Sequence, residues 1–383
     1  MTKDPRTTAV QSGLGDDPAL SAVVPPLYTS STYGWETFGE APAYDYGRGG
    51  NHNRALLGEA LARLEGGAGG VVTSSGMAAI DLVTNMVSAE QTIVAPHDCY
   101  GGTWRLLDSR AKQGRYHVRF VDQTDADALD AALEDAALVL VETPSNPLMR
   151  LVDIEAVCAR SHEAGAKVMA DNTFLSPARQ RPLKLGADFV VHSTTKFLNG
   201  HSDVVGGAVV ARDAGNAEQM EWWANNTGVT GAPFDSWLTL RGLRTLFVRM
   251  DAAEANARAL VERLEAHDAV ARVHFPGLHK DADLMARQQS GPGAMLSFEL
   301  RGGLEAARAV CEAVEVFRFA ESLGGTESLI CHPATMTHRG MSPDARAEAG
   351  VGDSLLRISA GLEGMDDLVH DLEQALDHAT RAL

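Results

Sequence analysis

Positive charge is in short supply in this 383-residue chain: 33 lysines and arginines stand against 51 aspartates and glutamates, a formal net charge of −18. Nucleic acids and anionic membranes both need a positive field, so that balance argues against either as a partner. An anionic ligand must be held by a local cationic pocket instead. Cysteine is scarce too. Cys99, Cys158, Cys311 and Cys331 lie too far apart for a Cys-x-x-Cys metal or redox site, and they read as free thiols of a reducing compartment. No apolar stretch approaches the roughly 18 residues that span a bilayer. Residues 1–13 are polar with no apolar h-region, so no secretory signal is expected and the cytoplasm is the expected compartment. Internal repeats and low-complexity tracts are missing. The glycines of residues 66–70 do not match Gly-x-Gly-x-x-Gly and follow no suitable strand, which excludes a nucleotide loop. His201 and Asp203 have no third ligand nearby, which makes a metal site poor; a hydrogen-bonded structural histidine is the better reading.

What is present is an ordinary globular composition, 45% hydrophobic and 22% charged, long enough for a large and a small domain. Residues 1–50 lack sustained periodicity and read as an extended arm, which survives when it packs on something such as a neighbouring subunit. From Leu56 helices alternate with short apolar strands: residues 71–73, 137–141, 168–170 and 189–191 suit strands, and 154–164 a helix. That alternation predicts an α/β domain over 51–247 with a mainly parallel sheet flanked by helices. Beyond it the texture changes. Ala253, Ala257, Leu260, Val261 and Leu264 make one helical face, Ala294, Leu296, Phe298 and Leu300 alternate as a half-buried strand, and Leu368, Leu372, Ala375, Leu376 and Ala379 share a closing helix face. Residues 248–383 therefore read as a smaller α+β domain with an antiparallel sheet.

Ligands of open α/β sheets bind at the carboxyl ends of strands, where Gly76-Met77, Asn146, Asp171 and the run Ser193-Thr194-Thr195-Lys196 all fall. A lysine flanked by hydroxyls, 25 residues after a strand-end aspartate, is a kit for pyridoxal phosphate. The amine forms a Schiff base, the hydroxyls meet the phosphate and the carboxylate pairs with the pyridine nitrogen. Taken singly, most of these segments have plainer readings. Ser75 before Gly76 is an ordinary N-cap sequence, Asn146 sits in a rigid two-proline loop, and Tyr46 with Arg48 fits a solvated turn. Tyr100 is a ring for core or cofactor, while Arg357 inside an apolar run requires a carboxylate from protein or ligand.

Together these segments resemble the Cys/Met-metabolism family of pyridoxal phosphate enzymes (fold type I). The likeness rests on Tyr46-x-Arg48, Ser75-Gly76-Met77, Asp98-x-Tyr100-Gly101-Gly102, Glu142 through Pro147, Asp171-Asn172-Thr173, Ser193-x-Thr195-Lys196, Glu321-Ser322 and Arg357-Ile358-Ser359. The resemblance implies a seven-stranded mainly parallel sheet in the large domain and pyridoxal 5'-phosphate on Lys196. It implies Lys196, Tyr100 and Asp171 as catalytic residues. Tyr46, Arg48, Ser75, Gly76, Met77, Asn146, Thr173, Ser193 and Thr195 join them around the cofactor, with Tyr46 and Arg48 supplied by the other subunit. Arg357, Ser322, Asn146, Glu321, Arg105 and Asp45 are implied on the substrate side. A homotetramer of two catalytic dimers follows, with sites shared across each dimer. Within the family the likeness is greatest to the bacterial branch that joins an O-acyl-L-homoserine, succinyl or acetyl, with L-cysteine to give L-cystathionine on the way to methionine. Cystathionine γ-cleavage, O-acetylhomoserine sulfhydrylation and, from another class, non-catalytic metabolite binding are the alternatives. Methionine γ-cleaving relatives are expected to carry Cys where Gly102 stands. The chain departs from the family at Asn51-His52-Asn53, and at Gly49, where some γ-synthases place a second arginine.

Overall fold

The computed structural model describes residues 3–17 and 19–382; Met1, Thr2 and Pro18 of the expected arm, and Leu383, lie outside the described residues. Two sheets organise the chain. The larger is built from β1 Gly69–Thr73, β2 Thr92–Pro96, β3 His117–Val121, β4 Ala136–Glu142, β5 Lys167–Asp171, β6 Phe189–Ser193 and β7 Gly207–Ala211. Its seven strands run in the order β1-β7-β6-β5-β4-β2-β3. Only β7 is antiparallel to its neighbours, so the expected mainly parallel seven-stranded sheet is present. Both faces are buried, which explains the unbroken apolar runs. Val139, Val141, Val168 and Val190 enter the core on one side; Leu138, Leu140, Met169 and Phe189 enter that on the other.

The smaller sheet comprises β8 Val270–His274, β9 Met295–Leu300, β10 Arg318–Phe319, β11 Leu329–Cys331 and β12 Leu355–Ser359, ordered β10-β11-β12-β9-β8. It is antiparallel except at its edge, where the two residues of β10 run parallel to β11. The strand expected to be half-buried differs from that reading. In β9 every residue but Glu299 is buried, because Ser297 on the supposedly wet face donates its hydroxyl to the Pro147 carbonyl at 2.7 Å. A loop of the larger sheet covers that face. The helix Leu246–Ala266, with the expected apolar face of Ala253, Ala257, Leu260, Val261 and Leu264, packs on β8 and β9 and also meets the short helix Ser176–Arg179 that follows β5.

The arm contains one helix that its composition did not reveal, Pro5–Val10, started by the Asp4 carboxylate on the Arg6 amide and by proline at its first position. Six residues are too few for a periodic signal. No further helix or strand occurs among the described residues before His52. There Asn51 caps the helix His52–Glu65, and Asn53 pins the arm by donating to Pro26 O and accepting from the Tyr28 amide, both at 2.8 Å. The departure at 52–53 thus still starts a helix and ties down the arm. Among the described residues, no helix is long and apolar enough to cross a membrane.

Candidate active site

The carboxyl ends of β1, β4, β5 and β6 open onto a cavity of about 350 Å³, closed from the other side by residues of the smaller sheet. At one end the helix Gly76–Thr84 points its first turn into the space. Ser75 caps it, its hydroxyl accepting from the Ala78 amide at 3.1 Å, which leaves the amides of Gly76 and Met77 without helical acceptors. Glycine is required at 76: a Cβ there would fall 2.7 Å from Cβ and 2.9 Å from Cα of Ser193. The helix start and the end of β6 therefore approach closely enough to enclose a small anion between two amides and the Ser193 hydroxyl. Thr195 also lines the cavity, but its hydroxyl is engaged with Gly206, donating to the carbonyl at 3.2 Å and accepting from the amide at 3.0 Å.

Asp171 closes β5 on the cavity floor, beside Glu142 at the end of β4 in direct register. Its carboxylate accepts from the Thr173 amide at 3.0 Å, and the Thr173 hydroxyl accepts from the Ser193 amide at 2.9 Å. Burial pushes Asp171 above the usual carboxylate range. An acid in that state, with no basic side chain within 4 Å among the described residues, suits a cationic ring nitrogen. Tyr100 turns its ring into the same space, and burial, reinforced by Glu321, raises its phenol. Gly102 permits this: a Cβ there would lie 2.5 Å from the Tyr100 ring.

Lys196 reaches in from the turn after β6 and donates to the Ser322 hydroxyl at 2.6 Å. Burial, with the Arg357 guanidinium nearby, lowers its amine to about 8. Arg357 projects from β12 of the other sheet. It donates to Asn146 Oδ1 at 2.9 Å and to the Ser322 carbonyl at 3.0 Å, and no carboxylate pairs with it among the described residues. Ser322, expected on the substrate side, lines the cavity and touches both cations, and it does so at φ 98, a conformation that side-chain-bearing residues rarely adopt. A buried guanidinium satisfied only by neutral oxygens leaves room for an incoming carboxylate.

Four expected residues stand elsewhere in this chain. Tyr46 is half exposed, and the Arg48 guanidinium lies 5.8 Å from its ring centroid, so the pair does sit together. Arg48 donates to the backbone and side-chain oxygens of Asn225, the latter at 2.8 Å, and lines a separate groove with Asp45. Arg105 is exposed on the helix Gly101–Lys112, against Gly340. Three cavity features carried no role in the sequence reading: Glu142, Thr337 and His338 behind it. Buried His338 is lowered to about 4 by burial and Arg357, and its Nε2 meets the Asn146 carbonyl at 3.1 Å. Glu142 had a signal, being the acid that ends a buried strand, as Asp171 is.

The comparisons with known proteins agree with this geometry. The chain matches the family described as Cys/Met metabolism PLP-dependent enzyme over residues 6–377. It is 54% identical to a cystathionine gamma-synthase of Escherichia coli, covering 100% of both chains. A cystathionine beta-lyase of Lactococcus lactis is 41% identical over 97% of this chain and 98% of its own. Crystal structures of cystathionine gamma synthase from Xanthomonas oryzae, one with aminoacrylate and cysteine and one with cystathionine, superpose with TM-score 0.98 at 53% identity over 100% of both chains. The chain belongs to the Cys/Met metabolism family of PLP-dependent enzymes, and its cofactor is pyridoxal phosphate.

Proposed function

We propose that this family member joins an O-acyl-L-homoserine to L-cysteine, replacing the acyloxy group at Cγ with the cysteine sulfur to give L-cystathionine and a free carboxylate. One observation carries the reading. Lys196 and Arg357, both without a carboxylate partner among the described residues, share a single cavity in a chain alike over its full length to γ-synthases, one of them solved with cystathionine. Pyridoxal phosphate, when bound, supplies an electron sink for negative charge at the substrate's Cα and Cβ.

In this reading Ser193 and the Gly76 and Met77 amides hold the phosphate, and Asp171 keeps a proton on the ring nitrogen. Thr173 orients Asp171 through its amide. Tyr100, whose phenol burial raises so that it stays protonated at neutral pH, would offer its ring to the cofactor. Arg357, steadied by Asn146, takes the amino-acid carboxylate bidentately. Lys196, its amine lowered to about 8, would take the Cα proton and then one from Cβ, so that the acyloxy group can leave Cγ, and would return both once the cysteine sulfur has added there. Glu321 faces the distal, acyl-bearing end. Tyr46, Arg48 and Asp45 serve the cavity of a neighbouring subunit, since in their own chain Arg48 and Asp45 line a different groove and Tyr46 is half exposed. The assembly is then a cytoplasmic homotetramer of catalytic dimers, with the arm of residues 1–50 crossing between subunits.

A panel of succinyl-, acetyl- and phosphohomoserine, each with cysteine or with sulfide, tests this. Cystathionine from an acyl ester and cysteine is the expected product; sulfide use alone would replace the proposal with a sulfhydrylase. Cystathionine cleavage is the second reading, favoured by the likeness to a β-lyase. Faster 2-oxobutyrate or pyruvate release from cystathionine than cystathionine synthesis would establish it.

A further inference from the structure

We propose that Glu142 is a positioning residue for this reaction, tying Tyr100 to Asn146 and setting a second negative charge beside Asp171. The inference rests on the cavity being a pyridoxal phosphate site.

Glu142 is buried at the end of β4, directly opposite Asp171 across one strand spacing of about 4.8 Å. Its two oxygens go to different loops. Oε2 accepts from the Tyr100 amide at 2.9 Å and Oε1 from the Asn146 amide at 3.0 Å. Tyr100 opens its helix with no side-chain cap of its own, so the carboxylate anchors the backbone that carries the ring. Asn146 in turn holds Arg357. One side chain thus fixes the spacing between the aromatic and the guanidinium. Glutamine cannot replace it, because one of its two ends is a donor facing an N–H.

The charge has a second consequence. No basic side chain lies within 4 Å of Glu142 among the described residues. The ionisable groups around it are Asp171 on β5 and Asp98, Cys99 and Tyr100 on the segment after β2. His192 acts on Asp171, and Arg357 and Glu321 act on Lys196. Burial, then Asp171, raises Glu142 well above the usual carboxylate range, opposed by its two amides. Two adjacent acids resist ionising together while no cation is near, so a protonated ring nitrogen held by Asp171 would let both carry their charge and would be favoured by both.

The test uses the holoenzyme, as wild type, Glu142→Gln and Glu142→Asp, reading thermal melting, steady-state kinetics and the absorbance of the Lys196-linked cofactor against pH. Glutamine removes the charge and one acceptor. The expected result is kcat lower by about 10- to 100-fold with KM changed less than about threefold, and an absorbance midpoint lower by about one pH unit. Aspartate keeps the charge but loses reach, so kcat falls while the midpoint stays near wild type. An unmoved midpoint or an unchanged kcat in Glu142→Gln overturns the proposal. Should that variant fail to fold, Glu142→Asp decides: wild-type kcat overturns it, and low kcat at the wild-type midpoint supports it. Wild type that yields no borohydride-trapped cofactor on Lys196 defeats the underlying site instead.

Discussion

Lys196 combines a charge, a buried stem and a single hydroxyl partner, and the fold works against its protonated form. Its amine sits at about 8 against 10.5 in an unfolded chain. Between those values the unfolded state binds more protons, so the stability of the cofactor-free protein rises with pH across that window. Below pH 8 the penalty is fully present. Replacing Lys196 with Met should therefore raise the melting temperature of the cofactor-free protein at pH 7, by the equivalent of roughly 1–3 kcal/mol. The gain should shrink as pH approaches 10.5, which melting curves at several pH values would check. The same change, or Lys196→Ala, abolishes turnover and the covalent cofactor link, readable by borohydride trapping and mass.

At the scale of elements, close approaches fix the cavity. Gly76 lets a helix start touch the end of β6, and Gly76→Ala places a methyl 2.7 Å from Ser193 Cβ. Cofactor retention should drop at least tenfold in equilibrium dialysis, with stability lower by about 1–3 kcal/mol in denaturant melts. Behind Lys196, the buried Arg249 donates to the carbonyls of Phe197 and Gly242, both at 2.8 Å, knitting the lysine turn to the helix Leu246–Ala266. Burial lowers this guanidinium to about 10. Gly200, at φ 75, leaves space for it, since a Cβ there would lie 2.0 Å from Arg249 Nη1. Gly200→Ala should cost about 2 kcal/mol or more, seen in the same melts. The strands with both faces buried were legible because burial forces continuous apolar runs, as in residues 138–141. Strand β7, whose sequence Gly-Ala-Val-Val-Ala is short and small, offered too weak a pattern, and β9 misled because Ser297 finds its partner 150 residues away. Asp171, Ser193 and Lys196 were readable as strand-end chemistry; Glu142 ends a buried strand in the same way, but its bonds go to backbone amides, so its partners could not be read from a side-chain pattern.

For the whole molecule, the arm is the open element. It presents Trp35 and Phe38 to solvent, the latter fully, and carries Tyr46 and Arg48 away from its own chain's cavity. If arms cross between subunits, the Lys196→Ala and Arg48→Ala lesions fall together in one site of a mixed dimer, leaving the other site with neither. Co-expressing the two inactive variants should restore turnover that neither shows alone; no recovery in verified heterodimers would mean that Arg48 does not serve the partner's site. Nothing in one chain's sequence says which copy an extended arm serves, so the expectation that Tyr46 and Arg48 reach a neighbouring site came from resemblance alone.

Ser322 stands at the junction between the two sheets, its hydroxyl against the lysine and its carbonyl against the arginine. Neither cation can shift without disturbing a neighbour that the other shares. If Arg357 takes the substrate's carboxylate as proposed, seating it would be felt through Ser322 at the Lys196 amine. Ser322→Ala would cut the hydroxyl half of that message while leaving the carbonyl half intact, and the timing of substrate arrival and proton removal would come apart.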